Sequence, residues 1–195
     1  MTRLCPLFFL GLFTLWVSGC ASTTPTLNSV VRPAQAARAP FVIAGRIAVK
    51  HEGKRSAATV RWAHGVGTDE ILLFAPLGKT IARIKRDAQG FVLDTSDEHY
   101  AAQDAEELTQ QALGWRLPLS GLQYWVLALP MPTAAIDVER DEYGRISILH
   151  QEGWSISYTR YATTAPDSLP QRLILQRDGL EIQLLIDEWE IPTQP

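Results

Sequence analysis

From Phe41 onward, apolar and polar residues alternate in short runs cut by turn residues. In "FVIAGRIAVK" (residues 41–50), Phe41, Ile43, Ile47 and Val49 fall on one side, and Arg46 and Lys50 on the other. In "GWSISYTRY" (153–161), Trp154, Ile156 and Tyr158 oppose Ser155, Ser157 and Thr159. A period of two marks a half-buried strand, because successive side chains leave opposite faces. The pattern predicts strands over 41–50, 55–63, 69–75, 79–86, 90–94, 97–101, 136–140, 145–150, 153–161, 171–177 and 180–190. Turn signals separate them, among them Gly65-Val66-Gly67, Tyr143-Gly144 and Asp178-Gly179. Many short strands with tight turns predict a mainly β domain built as one antiparallel sheet or barrel.

Residues 103 to 130 break the alternation. Asp104 followed by Glu107 resembles a capping box, Ala105 to Leu113 is strong helix-forming sequence, and Gly114 suits a helix stop. Ser120 is placed to cap a second short helix carrying Leu122, Trp125, Val126 and Leu129, which Pro130-Met131-Pro132 ends. Two short helices inserted into a sheet predict a lid over one face or one mouth.

The turn between the third and fourth strands is Pro76-Leu77-Gly78. Proline and glycine belong there, since one fixes φ and the other tolerates positive φ. A leucine between them is unusual at a position that faces water. Two readings stand: Leu77 folds back on its own hairpin, or it protrudes.

The first 40 residues are of another kind. Arg3 is a positive n-region, and residues 4 to 17 are apolar apart from scattered breaks. That run is short of the roughly 20 residues a membrane-spanning helix needs. Val17-Ser18-Gly19-Cys20 follows, with small residues at a cleavage position. Residues 1–19 are therefore expected to be a signal peptide. The small-small-Cys ending resembles a bacterial lipobox, which implies a lipid on Cys20 and removal of Cys5 with the signal. Ala21 lacks the aspartate that commonly retains Gram-negative lipoproteins in the inner membrane, which implies export to the outer membrane. Residues 20–40 are small, polar and interrupted by proline, and are expected to form a flexible tether averaging about 25 Å end to end. Residues 41–195 form the globular domain.

Composition changes the picture little. The chain is 195 residues long, 46% hydrophobic and 20% charged with a net charge of −3, which suits one domain with a real core. No basic stripe points to nucleic acid. Motifs for a serine nucleophile, a zinc protease, a phosphate loop or a dinucleotide are missing, and His51, His64, His99 and His150 are scattered. No catalytic residue, metal site or cofactor is therefore expected, apart from the covalent lipid on Cys20. "LDTSDEHY" (93–100) groups Asp94, Asp97, Glu98 and His99, but Asp and Ser also serve turn geometry, and a hairpin loop is the simpler reading. After the signal is removed, Trp62, Trp115, Trp125, Trp154 and Trp189 remain, as plain core or as the lining of a cavity for an apolar ligand.

Taken in order, several fragments resemble the outer-membrane lipoprotein receptor family LolB. They are the lipobox with Cys20, "AGRIAVK" (44–50), Trp62 at a strand end, "APLG" (75–78), "DAEEL" (104–108), "LPLSGLQYWVLALP" (117–130), "GWSISY" (153–158) and "IQLLIDEW" (182–189). The resemblance implies an unclosed antiparallel β-barrel with a short α-helical lid enclosing an apolar cavity. It also implies a monomeric acceptor, lipid-anchored in the outer membrane with its domain facing the periplasm. Such an acceptor takes triacylated lipoproteins from the periplasmic carrier LolA and releases them into outer-membrane phospholipid. The family's membrane-insertion loop corresponds to Pro76, Leu77 and Gly78. Apolar bulk nominates Trp62, Trp125, Trp154, Ile156 and Tyr158 as lining of the acyl-chain cavity. One departure is Ala128, where the family helix ends Leu-Gly-Leu-Pro; a changed local backbone angle without loss of function is expected. The competing class is a membrane-anchored, lipocalin-type carrier of free lipids.

Overall fold

The computed structural model describes Arg32, residues 39–132 and residues 136–191. The expected signal peptide, Cys20 and nearly all of the expected tether lie outside the described residues. Arg32, within that tether, donates its backbone N–H to the Asp167 carbonyl (3.2 Å) and its guanidinium to the Ser168 carbonyl (3.3 Å).

Alternation becomes strand throughout. The strands are β1 (Phe41–His51), β2 (Lys54–Gly65), β3 (Thr68–Phe74), β4 (Thr80–Asp87), β5 (Gly90–Thr95) and β6 (His99–Ala102). Two helices follow, α1 (Ala105–Leu113) and α2 (Leu119–Trp125). Then come β7 (Asp137–Arg140), β8 (Ile146–Gln151), β9 (Trp154–Tyr161), β10 (Pro170–Arg177) and β11 (Leu180–Glu190). All lie in one sheet, ordered β6-β5-β4-β3-β2-β1-β11-β10-β9-β8-β7. Every pairing is antiparallel, and β1 pairs with β11, so the first and last strands meet in the middle. The edge strands β6 and β7 are not paired with each other, which leaves the barrel unclosed. At Gly45 the β1–β11 register shifts, and a Cβ there would sit 2.0 Å from the Leu185 carbonyl oxygen. Only glycine lets the two strands come this close at the bulge.

The two helices occupy the break between β6 and β7. Asp104 caps α1 as expected, its carboxylate accepting the N–H groups of Glu106 (2.7 Å) and Glu107 (3.0 Å), and Gly114 ends it at φ +78°. Glu107 does not reciprocate; its carboxylate accepts from Gln111 instead. The expected cap of α2 is corrected: Ser120 lies inside its first turn, Pro118 takes the cap position, and no side chain caps the helix. Proline is at home there, because a missing N–H costs nothing at a helix start. The buried Thr109 hydroxyl of α1 accepts the Leu117 N–H at 2.8 Å, which ties α1 to the residue that precedes the Pro118 cap.

Candidate functional site

The inner face of β1–β4 is apolar over most of its length. Trp62 pairs across the strands with Ile43 on one side and Ile71 on the other, and Ile71 with Ile84. Above this row, Val60, Leu73 and Ala82 continue the same face. The segment from Leu113 to Leu122, which carries the end of α1 and most of α2, lies opposite. Between the two is a cavity of about 630 Å³.

Burial shows which end is open. Along the inner face of β2, Trp62 and Val60 are buried, Ala58 is half-buried and Ser56 is exposed. The polar lining residues His51, Glu52, Lys54, Ser56 and Thr95 gather at that exposed end. The strand directions place the β1–β2, β3–β4 and β5–β6 turns together there. The mouth is therefore rimmed by polar groups and leads down to hydrocarbon, an arrangement that suits an amphiphile with one greasy end.

Leu77 sits at the same end. Gly78 N–H donates to the Ala75 carbonyl and Ala75 N–H to the Lys79 carbonyl, both at 2.8 Å. Pro76 takes the second turn position and Gly78 has φ +81°, so the three-residue loop holds its shape without help from its neighbours. Leu77 is 98% exposed, which excludes a fold-back onto its own hairpin. Ile81, on the other side of the loop, is 42% exposed and lines the cavity. The register shift between Leu73 and Phe74, opposite Thr80, brings it into play at the mouth.

Of the five residues nominated for the cavity, the structure places Trp62 on its wall and the other four elsewhere. Trp125, Trp154, Ile156 and Tyr158 are buried in a packed core against β8–β11. Trp125 and Trp154 rings lie 6.2 Å apart. The Trp125 indole N–H donates to Gln151 (3.0 Å), and the same Gln151 side chain makes two bonds to the Met131 backbone. The Tyr158 hydroxyl donates to the Trp125 carbonyl (2.8 Å). These bonds fix the helical segment to one half of the sheet, fill that half, and leave the other half hollow. Trp115, treated as equivocal from sequence, lines the cavity with Leu117 and Leu119.

Ala128 has φ +52°, the left-handed region that glycine enters without strain. The alanine thus adopts a glycine-like backbone at this position. "LDTSDEHY" is a hairpin: the Thr95 hydroxyl accepts the Asp97 and Glu98 N–H groups, and His99 pairs with Asp94 in the open. Among the described residues, no three His, Cys, Asp or Glu side chains cluster so as to hold a metal ion. No described helix is long and apolar enough to cross a membrane.

An open antiparallel sheet, half filled by a helical segment and half hollow, defines a hydrocarbon-cavity domain rather than a solid β-sandwich. A family model described as outer membrane lipoprotein LolB matches residues 39–189. The chain belongs to the LolB family. It is 37% identical to the outer-membrane lipoprotein LolB of Nitrosomonas europaea, over 97% of this chain and 94% of that protein. The LolB of Thiobacillus denitrificans is also 37% identical, over 89% and 91%. The LolB of Chromobacterium violaceum is 35% identical, over 90% and 94%. Among solved structures, a LolA superfamily protein from Nitrosomonas europaea superposes with a TM-score of 0.46 at 8% identity, covering 85% of this chain and 90% of its own.

Proposed function

We propose that this protein accepts the acylated ends of lipoproteins from a periplasmic carrier of LolA type and releases them into the outer membrane, to which a lipid on Cys20 anchors it. The observation that carries this reading is the shared end of the molecule: the apolar cavity opens where Leu77 protrudes. Exposing acyl chains to water costs about 0.8 kcal/mol per CH₂, so cargo with several long chains cannot cross the aqueous space bare. A shielding cavity is needed on each side of the hand-over. Transfer runs downhill without nucleotide if this cavity holds the chains more tightly than the carrier does and less tightly than a bilayer.

Mixing the chain from residue 21 onward, which keeps every described residue, with a loaded carrier tests this. Acylated cargo is expected to move to this protein. Cargo that stays on the carrier, with free fatty acid found in this cavity on purification, would support the lipocalin-type reading instead.

A further inference from the structure

The row of inner-face residues below Trp62 is not apolar. His64 on β2 pairs with Asp69 on β3, and Asp69 with Arg86 on β4. All three share the face of Trp62, Ile71 and Ile84, because they lie two residues along from them. The Asp69 side chain is only 9% exposed and the His64 side chain 8%. One Asp69 oxygen accepts the Trp62 indole N–H at 2.8 Å and meets His64 Nδ1 at 2.7 Å; the other meets the Arg86 guanidinium at 2.5 Å. Phe41 closes the cluster from β1, stacked on His64 with ring centroids 4.8 Å apart and edge-on to Trp62 at 5.1 Å. None of these four lines the cavity, whereas Trp62 does.

A carboxylate this buried needs its donors, and it holds them in return. The indole is the one donor that also faces the hollow. Its plane cannot swing aside without leaving a buried carboxylate short of a partner, while rotation the other way meets Phe41. The polar row behind it gives hydrocarbon no continuation. The distance from the Trp62 row to the mouth is about eight strand residues, from Ile43 to His51, or about 26 Å.

Resting on the acyl-chain reading above, we propose that Trp62, positioned by Asp69, is the stop at the end of the cavity and sets the longest acyl chain it takes. The tail enters first and its methyl end meets the indole, with the polar head left among His51, Lys54 and Ser56. Chains up to that length gain from each added methylene; longer ones leave methylenes at the mouth. Asp69 is a positioning residue, acting through the indole.

The test is a series of saturated fatty acids, from tetradecanoate to hexacosanoate, displacing a fluorescent anilinonaphthalene probe from the chain starting at residue 21. Affinity is expected to rise up to about 4-fold per added carbon, then level off at a definite length. Trp62→Ala should move that break to longer chains by about two carbons or more. Trp62→Phe, which keeps most of the bulk, should leave it within about one carbon, and Asp69→Ala should blur it. Ile81→Ala at the mouth should weaken every chain alike and leave the break in place. If Trp62→Ala does not fold, Trp62→Leu provides the same comparison with a smaller shift. A break that stays put in both the Ala and Leu variants, or no break in the parent protein, overturns the stop. No binding of any fatty acid overturns the acyl-chain reading along with it.

Discussion

The Tyr158 hydroxyl donates to the Trp125 carbonyl at 2.8 Å, and this bond joins the middle of β9 to the last turn of α2. Trp125 is 1% exposed and Tyr158 6%, so no water replaces the donor if it is lost. Tyr158→Phe keeps the ring and removes only the hydroxyl; the Trp125 carbonyl keeps the Ala128 N–H (2.9 Å) and loses its second donor. Loss of one such hydrogen bond costs about 0.5–1.5 kcal/mol. Urea unfolding at neutral pH is expected to show a lower midpoint with an unchanged slope, because the surface exposed on unfolding is the same.

The same hydroxyl makes stability fall at high pH. Burial raises the Tyr158 pKa well above the ordinary 10.0, and the neighbouring Tyr161 adds to this while Arg32 opposes it. Burial also raises Tyr161, against the pull of Arg32 and Arg145. A group whose folded pKa lies above its unfolded value binds its proton more tightly in the native state. Its contribution is complete below about pH 10 and is lost as the pH climbs toward the folded value. The urea midpoint should show no loss from these two tyrosines up to about pH 9 and should decline above about pH 10. Tyr158→Phe, with one such proton fewer, should decline less steeply, so the gap to the parent protein narrows in alkali. A gap of constant width across this range would contradict the burial assigned to Tyr158.

Much of this fold was legible because its grammar is local. Alternation and turn residues mark every strand from β1 to β11 to within one or two residues, and Asp104 and Gly114 bracket α1. The placement of the cavity was not local. Periodicity puts Trp62 and Trp154 each on a definite face of its own strand, but it cannot say which stretch of that face the helical segment fills. That is decided by bonds between distant residues, Gln151 to Trp125 and Tyr158 to Trp125, separated by 26 and 33 positions. Apolar bulk was the wrong guide, since a bulky residue fills space. Small inner-face residues are the better signal: Ala58 and Ala82 leave room beside the cavity, whereas Leu149, Leu173 and Leu175 fill the other half. The protrusion of Leu77 was readable only as an oddity; two backbone bonds across its turn decide it.

Ala128 allows a test of opposing terms. Its left-handed backbone costs an L-residue about 1–2 kcal/mol relative to glycine. Against that, its methyl is 1% exposed, and burying one carbon is worth about 0.8 kcal/mol. Glycine also gives the unfolded chain more freedom, which costs about 0.4–1 kcal/mol. These terms nearly cancel, so Ala128→Gly is expected to change stability by no more than about 0.5 kcal/mol. Ala128→Val adds a branched carbon in a conformation such residues avoid, with no space for it, and should cost more than about 2 kcal/mol. Equilibrium denaturation of the pair checks both. A clear gain with glycine would show that strain outweighs the buried methyl.

Leu77 is exposed to 98%, so its side chain contributes nothing to the fold that a polar residue would remove. Leu77→Glu is therefore expected to leave the unfolding midpoint within about 0.5 kcal/mol of the parent protein. Transferring one leucine from water into lipid gains about 1.5–3 kcal/mol, too little to anchor a protein but enough to bias which end meets the bilayer. Replacing it with a carboxylate reverses the sign of that bias. The cavity wall is untouched, since the loop residues 76–78 do not line it. Acceptance of cargo from a loaded carrier should then proceed normally, while deposition into phospholipid vesicles stalls and cargo accumulates on the variant. Leu77→Ala, which loses most of the apolar gain without adding charge, should fall between the two. The readout is the share of acylated cargo that sediments with vesicles over time. Equal deposition by all three proteins would mean that the mouth finds the bilayer by some other contact, and that the protruding leucine has no part in delivery.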